Sequence, residues 1–243
     1  MRVAFAGHEG RVGRALVPVL QSTPDIEYVG GFGSGGDVGD FLRRHRPQVL
    51  VEFTRPEAAR ANALAAVEAG AVPVIGTSGL SEEAVQELEA ACARAGLGGI
   101  VAPNFALGAV LLIWLAEKAA PYFEAVEVIE QHHQGKRDAP SGTALSTARR
   151  LAAAGTFTAA HPAVVTLPGA RGGEEGGVSV HSVRLPGVVA DQEVLFGAEG
   201  QTLSLAHRTT GREAYAPGVL IAIRELVRAP RFHRGLDALL GLS

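Results

Sequence analysis

Residues 130–145 read EQHHQGKRDAPSGTAL and concentrate polar chemistry in a chain otherwise rich in alanine and glycine. His132 and His133 can gain or lose a proton near neutral pH, and Lys136 adds a fixed positive charge. Pro140 cannot sit inside a helix whereas Ser141 can cap one, so a helix is expected over Ser141–Ala154, closed by Gly155. The amides of Gly142 and Thr143, with the Thr143 hydroxyl, then lie at the positive end of that helix, where a carboxylate is accepted. An anion clamp beside a proton source suits an anionic substrate that must also be protonated. A plain capped helix with solvated histidines fits the same residues, and their types leave both readings open. Two adjacent histidines without a spaced carboxylate or cysteine make a poor ligand set, so no metal is expected.

A second constellation stands at the start of the chain. Gly7, Gly10 and Gly13 form G-x-x-G-x-x-G between an apolar run and a helical pattern, one residue wider than the usual dinucleotide fingerprint. Glycine there lets a pyrophosphate approach the backbone and the helix N-terminus without a Cβ in the way. Tight strand–helix turns are also glycine-rich for purely structural reasons. The acid that usually ends the next strand is absent: Phe32 is followed by Gly33, Ser34, Gly35 and Gly36, with Asp37 arriving late. Such a carboxylate holds the ribose hydroxyls and repels a 2′-phosphate.

The elements that must position these residues follow from periodicity. Arg2–Ala6, Ile26–Phe32, Gln48–Phe53, Val72–Ile75 and Gly99–Ala102 read as strands. Between them, Gly13–Gln21, Val38–His45, Pro56–Ala69 and Ser81–Ala95 read as helices. Ser81 followed by Glu82 and Glu83 is a helix start, with a capping hydroxyl and acids against the positive end of the dipole. This alternation predicts an α/β fold, a Rossmann-like doubly wound parallel sheet whose ligands sit beyond the carboxyl ends of its strands. After Phe105 the rhythm changes. Ala109–Ala120 reads as a helix, Ala125–Ile129 as a strand, and Ala163–Leu167, Val178–Leu185, Gln192–Ala198 and Gln201–Arg208 as further β runs. Gly169–Gly177 reads as a long flexible loop and Ala216–Val227 as a last helix. A second α+β domain with a mixed, largely open sheet is expected. The division is a dinucleotide-binding domain over 1–104, completed by 215–243, and a substrate-binding and oligomerisation domain over 105–214.

Composition excludes several classes. With 243 residues, net charge −3 and 47% hydrophobic content, the chain suits a compact protein and carries neither a nucleic-acid footprint nor a polybasic membrane patch. Cys92 is the single cysteine, so neither a disulfide framework nor a multi-cysteine metal cluster is expected. The opening MRVAFAGHEGRVGRAL is broken by His8, Glu9 and Arg11 and does not read as a signal peptide. The apolar run at 110–116 soon meets Glu117 and Lys118, so no membrane span and a cytoplasmic location are expected.

Five segments, GHEGRVGR at 7–14, EFTRPE at 52–57, GTSG at 76–79, APNFALG at 102–108 and EQHHQGKRDAPSGTAL, resemble the 4-hydroxy-tetrahydrodipicolinate reductase (dihydrodipicolinate reductase) family of the diaminopimelate route to lysine. The resemblance covers essentially the whole chain and implies hydride transfer from NADPH or NADH to a cyclic unsaturated dicarboxylate. It implies catalytic positions at His132 and Lys136, with Lys136 the proton donor. His133, Gly142, Thr143 and Arg212 would hold the substrate. The nucleotide would lie across Gly7, Gly10, Arg11, Val12 and Gly13, then Gly76, Thr77 and Ser78, then Ala102, Pro103, Asn104 and Phe105. A homotetramer built through the second domain's sheet and a hinge between the domains are also implied.

This chain departs from the family at several points. Val12 stands where methionine is common, and Glu52 replaces the usual aspartate. Ala190-Asp191-Gln192 stands where Gly-Glu-His is usual. Two other classes fit parts of the pattern. A dehydrogenase acting through a thioester would need a nucleophilic cysteine, but Cys92 lies mid-helix in ACARAG. A nucleotide sensor would have no need of a proton donor such as Lys136. The missing acid after Phe32 predicts use of both nucleotides or a leaning toward NADPH. Side-by-side steady-state kinetics check this, and a strong preference for NADH would refute it.

Overall fold

The computed structural model describes residues 1–33 and 36–242. Ser34 and Gly35, in the glycine stretch expected at the ribose end of a nucleotide, lie outside the described residues. The chain divides into two compact units, Met1–Leu107 with Arg212–Ser243, and Gly108–Gly211.

The first unit opens with β1 (Arg2–Ala6), α1 (Gly13–Ser22), β2 (Glu27–Phe32), α2 (Val38–His45), β3 (Val49–Glu52), α3 (Pro56–Glu68), β4 (Val72–Ile75), α4 (Glu82–Ala95) and β5 (Gly99–Val101). Between this stretch and the chain's return, α5 (Leu107–Ala119), β6 (Ala125–His132), α6 (Gly142–Ala154), β7 (Gly173–Glu175), β8 (Val178–Arg184), β9 (Ala190–Ala198) and β10 (Gln201–Thr209) build the second unit. The chain then returns to the first with α7 (Ala216–Arg228), β11 (Phe232–Arg234) and α8 (Leu236–Leu240).

The sheet of the first unit is parallel and ordered β11-β5-β4-β3-β1-β2. Helices cover a parallel sheet on both faces, so its central strands are apolar on both sides. Val3–Ala6 and Val49–Val51 accordingly have no exposed surface. Each such valine, leucine or phenylalanine contributes roughly 1.5–3 kcal/mol on burial. Strand order reverses at β1, which has β2 on one side and β3 on the other, so the ligand crevice of this topology lies at the carboxyl ends of β1 and β3. As the sequence predicts, Ser81 caps α4, its hydroxyl accepting the Ala84 amide at 3.3 Å, and Gly96 closes that helix in the left-handed region.

The sheet of the second unit is mixed, ordered β10-β9-β6-β8-β7, with only β6 and β8 parallel. Strand alternation sends Val126, Val128, Val180, Val194 and Phe196 into one core with Leu112, Ile113 and Ala116 of α5 and Ala144, Ala148 and Leu151 of α6.

Three expectations need correction. Ala163–Leu167 is not a strand; it lies between Pro162 and Pro168, and Val164, Val165 and Leu167 are exposed. A short apolar run becomes a strand only when a neighbouring strand accepts its amides and carbonyls. This segment pairs with neither β7 nor β10, the edge strands of the sheet, and a proline bounds it on each side. Gly169–Gly177 is not all loop, because β7 pairs with β8 through a two-residue Gly176-Gly177 turn with φ of 59° and 82°. Both positions are left-handed, as the tight hairpin turn that matches strand twist requires. The parallel sheet also gains a sixth strand, β11, from a three-residue segment too short to show periodicity.

Gly13 marks where the first turn meets its helix. A Cβ there would lie 2.4 Å from the carbonyl oxygens of both Gly7 and His8. Gly13→Ala must push backbone aside and is expected to cost about 3 kcal/mol, at the upper end of overpacking penalties. Thermal melting checks this, and an alanine variant that melts with the wild type refutes it.

Candidate active site

In the second unit the site is built on strand parity. Glu130 and His132 follow Val126 and Val128 on the face of β6 that α6 covers, so Glu130 is drawn into the core and has no exposed surface. The parallel register pairs Glu130 with Ser182 and His132 with Arg184 on β8. From that position the Arg184 guanidinium reaches back and donates to both carboxylate oxygens of Glu130, at 2.8 and 3.0 Å. The Ser141 amide adds a third donor at 3.3 Å, and the fourth contact is His132 Nδ1 at 2.5 Å. Arg184 also donates to the Asp138 carbonyl at 2.6 Å, which ties the 133–140 loop to the sheet.

Protonation follows from these contacts. Burial opposes a charge on Glu130, but the hydrogen bonds from Arg184, Ser182 and His132 outweigh it and hold the carboxyl below its usual range. Burial also pushes His132 below the usual imidazole range. Glu130 works against that shift, and the charges of Lys136 and Arg184 add to it. His132 is therefore neutral near neutral pH. Its contact with Glu130 assigns the proton to Nδ1 and leaves Nε2 as the free acceptor.

Next to this pair the loop turns tightly, the Lys136 amide donating to the His133 carbonyl at 3.0 Å. Lys136 Nζ pairs with the Asp138 carboxylate at 2.8 and 3.0 Å. A cis Ala139–Pro140 bond leads into α6. Ser141 is its cap, with Oγ accepting the Ala144 amide at 3.1 Å. Among the described residues no acceptor takes the amides of Gly142 and Thr143, and the space beside Gly142 is open. Gln192, which stands where the family usually has histidine, donates to Thr147 Oγ1 at 2.9 Å, and that hydroxyl donates to the Thr143 carbonyl at 2.8 Å. The first turn of α6 is thus braced from β9.

In the first unit Gly7 leaves β1 with φ of 85°, and a Cβ there would lie 2.4 Å from the Phe53 carbonyl oxygen. The Gly10 amide closes the turn on the Gly7 carbonyl at 2.9 Å. Helix α1 then begins with neither a side-chain cap nor an acid in its first turn. Among the described residues the amides of Arg11 and Val12 meet no acceptor. That uncapped end, with exposed Gly10 and Arg11, fits a pyrophosphate. The loops after β4 and β5 lie along the same edge of the sheet. Gly76 packs under the Phe53 ring, where a Cβ would lie 2.1 Å from a ring carbon. The Thr77 side chain is buried and its hydroxyl donates to Glu52, while Ser78 is exposed. In Ala102–Phe105, Ala102 and Phe105 are buried, Pro103 is exposed, and Asn104 Oδ1 accepts the Ala106 amide at 2.9 Å. Thr77, Ala102 and Phe105 could therefore meet a nucleotide through main chain rather than side chain. Arg212 begins a 3-10 turn of the first unit, whereas His132, His133, Lys136, Gly142 and Thr143 lie together in the second.

Two features stand apart from this chemistry. Burial pushes the Cys92 thiol up to about 11, which leaves no thiolate nucleophile. An open groove of about 870 Å³ beside Pro121, Phe123, Glu124, Gly155 and Thr158 contains none of the residues above, and its size is no guide to the chemistry. Sequence reasoning misses two groups, the buried Glu130 and the half-buried Arg184. Glu130 had a signal, since spacing of two from His132 puts both on one strand face. Arg184 had none, because only strand register brings it there.

Comparison with known proteins follows the same division. Residues 1–105 match the family described as dihydrodipicolinate reductase, N-terminus, and residues 108–240 match dihydrodipicolinate reductase, C-terminus. The 4-hydroxy-tetrahydrodipicolinate reductase of Moorella thermoacetica is 44% identical, over 99% of this chain and 98% of that protein. That of Legionella pneumophila (strain Corby) is 42% identical, over 98% and 99%. Among solved structures, the dipicolinate-bound dihydrodipicolinate reductase from Paenisporosarcina sp. TG-14 superposes with a TM-score of 0.89 at 34% identity, covering 98% of each chain.

The Arg184–Glu130 pair predicts a pH-dependent stability. A carboxyl whose pKa is lowered on folding stabilises above its unfolded pKa, about 4.3 for glutamate, and loses that contribution as pH falls through the folded value. Arg184→Met strands a buried carboxylate and is expected to cost about 3 kcal/mol at neutral pH. The difference from wild type should narrow as pH falls from neutral, because the stranded Glu130 takes up its proton at a higher pH in the variant than in wild type. Denaturant unfolding across this range checks both statements, and a difference independent of pH would refute them.

Proposed function

The chain belongs to the dihydrodipicolinate reductase family, and on that premise we propose that it reduces 4-hydroxy-tetrahydrodipicolinate to tetrahydrodipicolinate in the diaminopimelate route to lysine. The observation that carries this reading is the cluster at 130–143, His132 and Lys136 beside the N-terminus of α6, where the Gly142 and Thr143 amides meet no acceptor among the described residues. In this proposal the first unit holds NADPH or NADH across Gly7 and Gly10–Gly13, Gly76–Ser78 and Ala102–Phe105. The second unit holds the substrate. The reduced nicotinamide, when bound, supplies the hydride.

This chain's own residues supply the rest. The free amides of Gly142 and Thr143, at the positive end of α6, hold one substrate carboxylate, and His133 holds the other. Arg212 is a further candidate for a substrate contact, on the family pattern. Lys136 Nζ is the proton donor. In the free protein its charge is met by Asp138, and an arriving dicarboxylate competes for that charge. His132, neutral and fixed through Nδ1, presents Nε2 as an acceptor. There it can orient Lys136 or a substrate proton without adding a second positive charge.

A homotetramer belongs to the same proposal. The open face of the second unit's sheet carries Glu127, Ile129 and Leu195, which are incompletely buried, and a second copy could cover them. We also infer a cytoplasmic location. Among the described residues no helix is long and apolar enough to cross a membrane.

The test is oxidation of NADPH or NADH with the enzymatically generated dicarboxylate, and no oxidation of either would sink the reading. Lys136→Ala is expected to lower turnover by at least about 100-fold, the lower end of what a positioned general acid contributes. Nucleotide affinity should stay near wild type. A variant that turns over normally would show Lys136 to be only a surface charge.

A further inference from the structure

We propose that Glu52 is a positioning residue for the nucleotide, holding the Gly76–Ser78 loop in place through the buried hydroxyl of Thr77. The proposal rests on the reductase reading above. Glu52 ends β3 beside the switch point of the parallel sheet and has no exposed surface. Its carboxylate accepts from the Thr54 and Thr77 hydroxyls and from Asn62 Nδ2 at 3.4 Å. The circuit is closed by the Thr54 amide, which donates to Thr77 Oγ1 at 2.9 Å. One carboxylate thereby joins the segments that follow β3 and β4, and it reaches α3 as well. Phe53 lies in the same clamp, with its ring over Gly76.

The arrangement is costly for stability. Among the described residues no cation pairs with Glu52, and everything that favours its charge is a neutral hydrogen bond. Burial without a cation destabilises a carboxylate and here pushes its carboxyl above the usual range. A glutamine of the same shape could accept from Thr54 and Asn62 through its one oxygen and donate its amide to the Thr77 hydroxyl oxygen. Stability alone therefore does not call for the charge, and departures of this kind concentrate at functional sites. What the charge adds is strength: charge-assisted bonds lock the Thr77 side chain inward, in a loop whose next residue, Ser78, is exposed.

The test uses the full-length chain and Glu52→Gln at neutral pH. Measurements are equilibrium fluorescence titration with NADPH and with NADH, KM for the dicarboxylate, and thermal melting. The expected result is nucleotide affinity weaker by about tenfold, in line with losing one charge-assisted bond. The dicarboxylate KM should be unchanged and the melting temperature no lower than wild type. Affinity within about twofold of wild type overturns the proposal. So does a variant that fails to fold or melts more than about 5 °C lower, since the carboxylate would then be a structural requirement. A wild-type chain that binds neither nucleotide overturns the reductase reading itself, and this proposal with it. Wild-type binding with an unaffected variant overturns the positioning role alone.

Discussion

The buried carboxylate of Glu130 organises the second unit. An ionised carboxyl with no solvent contact carries a large desolvation cost, which a cation and further donors offset. Here a guanidinium from β8, a main-chain amide from the cap of α6 and an imidazole from β6 itself meet that demand. Each partner is constrained in turn. Arg184 must keep the β6–β8 register, Ser141 must sit at the helix start, and His132 must present Nδ1 inward. A one-residue slip between the strands would turn Arg184 to the opposite face and leave the charge unpaired. The free nitrogen of His132 and the free amides of α6 are therefore aimed by a single electrostatic requirement.

Glu52 shows the same chemistry resolved the other way. Both carboxylates are fully buried at or near strand ends, and burial is the largest influence on each. Glu130 meets a bidentate arginine and its pKa falls. Glu52 meets only hydroxyls and an amide, and its pKa rises. The difference is net charge at hydrogen-bonding distance, since an opposite charge favours the ionised carboxyl and Glu52 has none among the described residues. Glu130 is accordingly an electrostatic joint between elements, while Glu52 is held against a standing desolvation cost.

Much of this was legible in the residues. The strands from Arg2 to Val101 are short apolar runs separated by helical patterns with readable caps, and local signals of that kind survive tertiary context. Ser141 and Ser81 cap the helices that their hydroxyls and neighbours specify. The misreadings share one cause. Ala163–Leu167 is a short apolar run like those of the strands, but a strand needs a partner, and whether one is met is a property of the whole sheet. Gly176-Gly177 was read as loop because two glycines mark either flexibility or a tight hairpin turn. Only the pairing of Glu175 with Val178 decides between them.

By itself the sequence determined the fold class, the helix starts at Gly13 and Gly142, and the nearness of His132 to Lys136. Each depends on residues close together in the chain, whose backbone preferences act before any long-range contact forms. Tertiary structure alone decided which groups control those residues. Arg184 lies 54 positions from Glu130 and reaches it only through parallel strand register. Thr77 lies 25 positions from Glu52 and reaches it only because β3 and β4 end side by side. Protonation state depends on burial and on charges within a few ångströms. It therefore belongs to the packed core and cannot be read from the order of the residues.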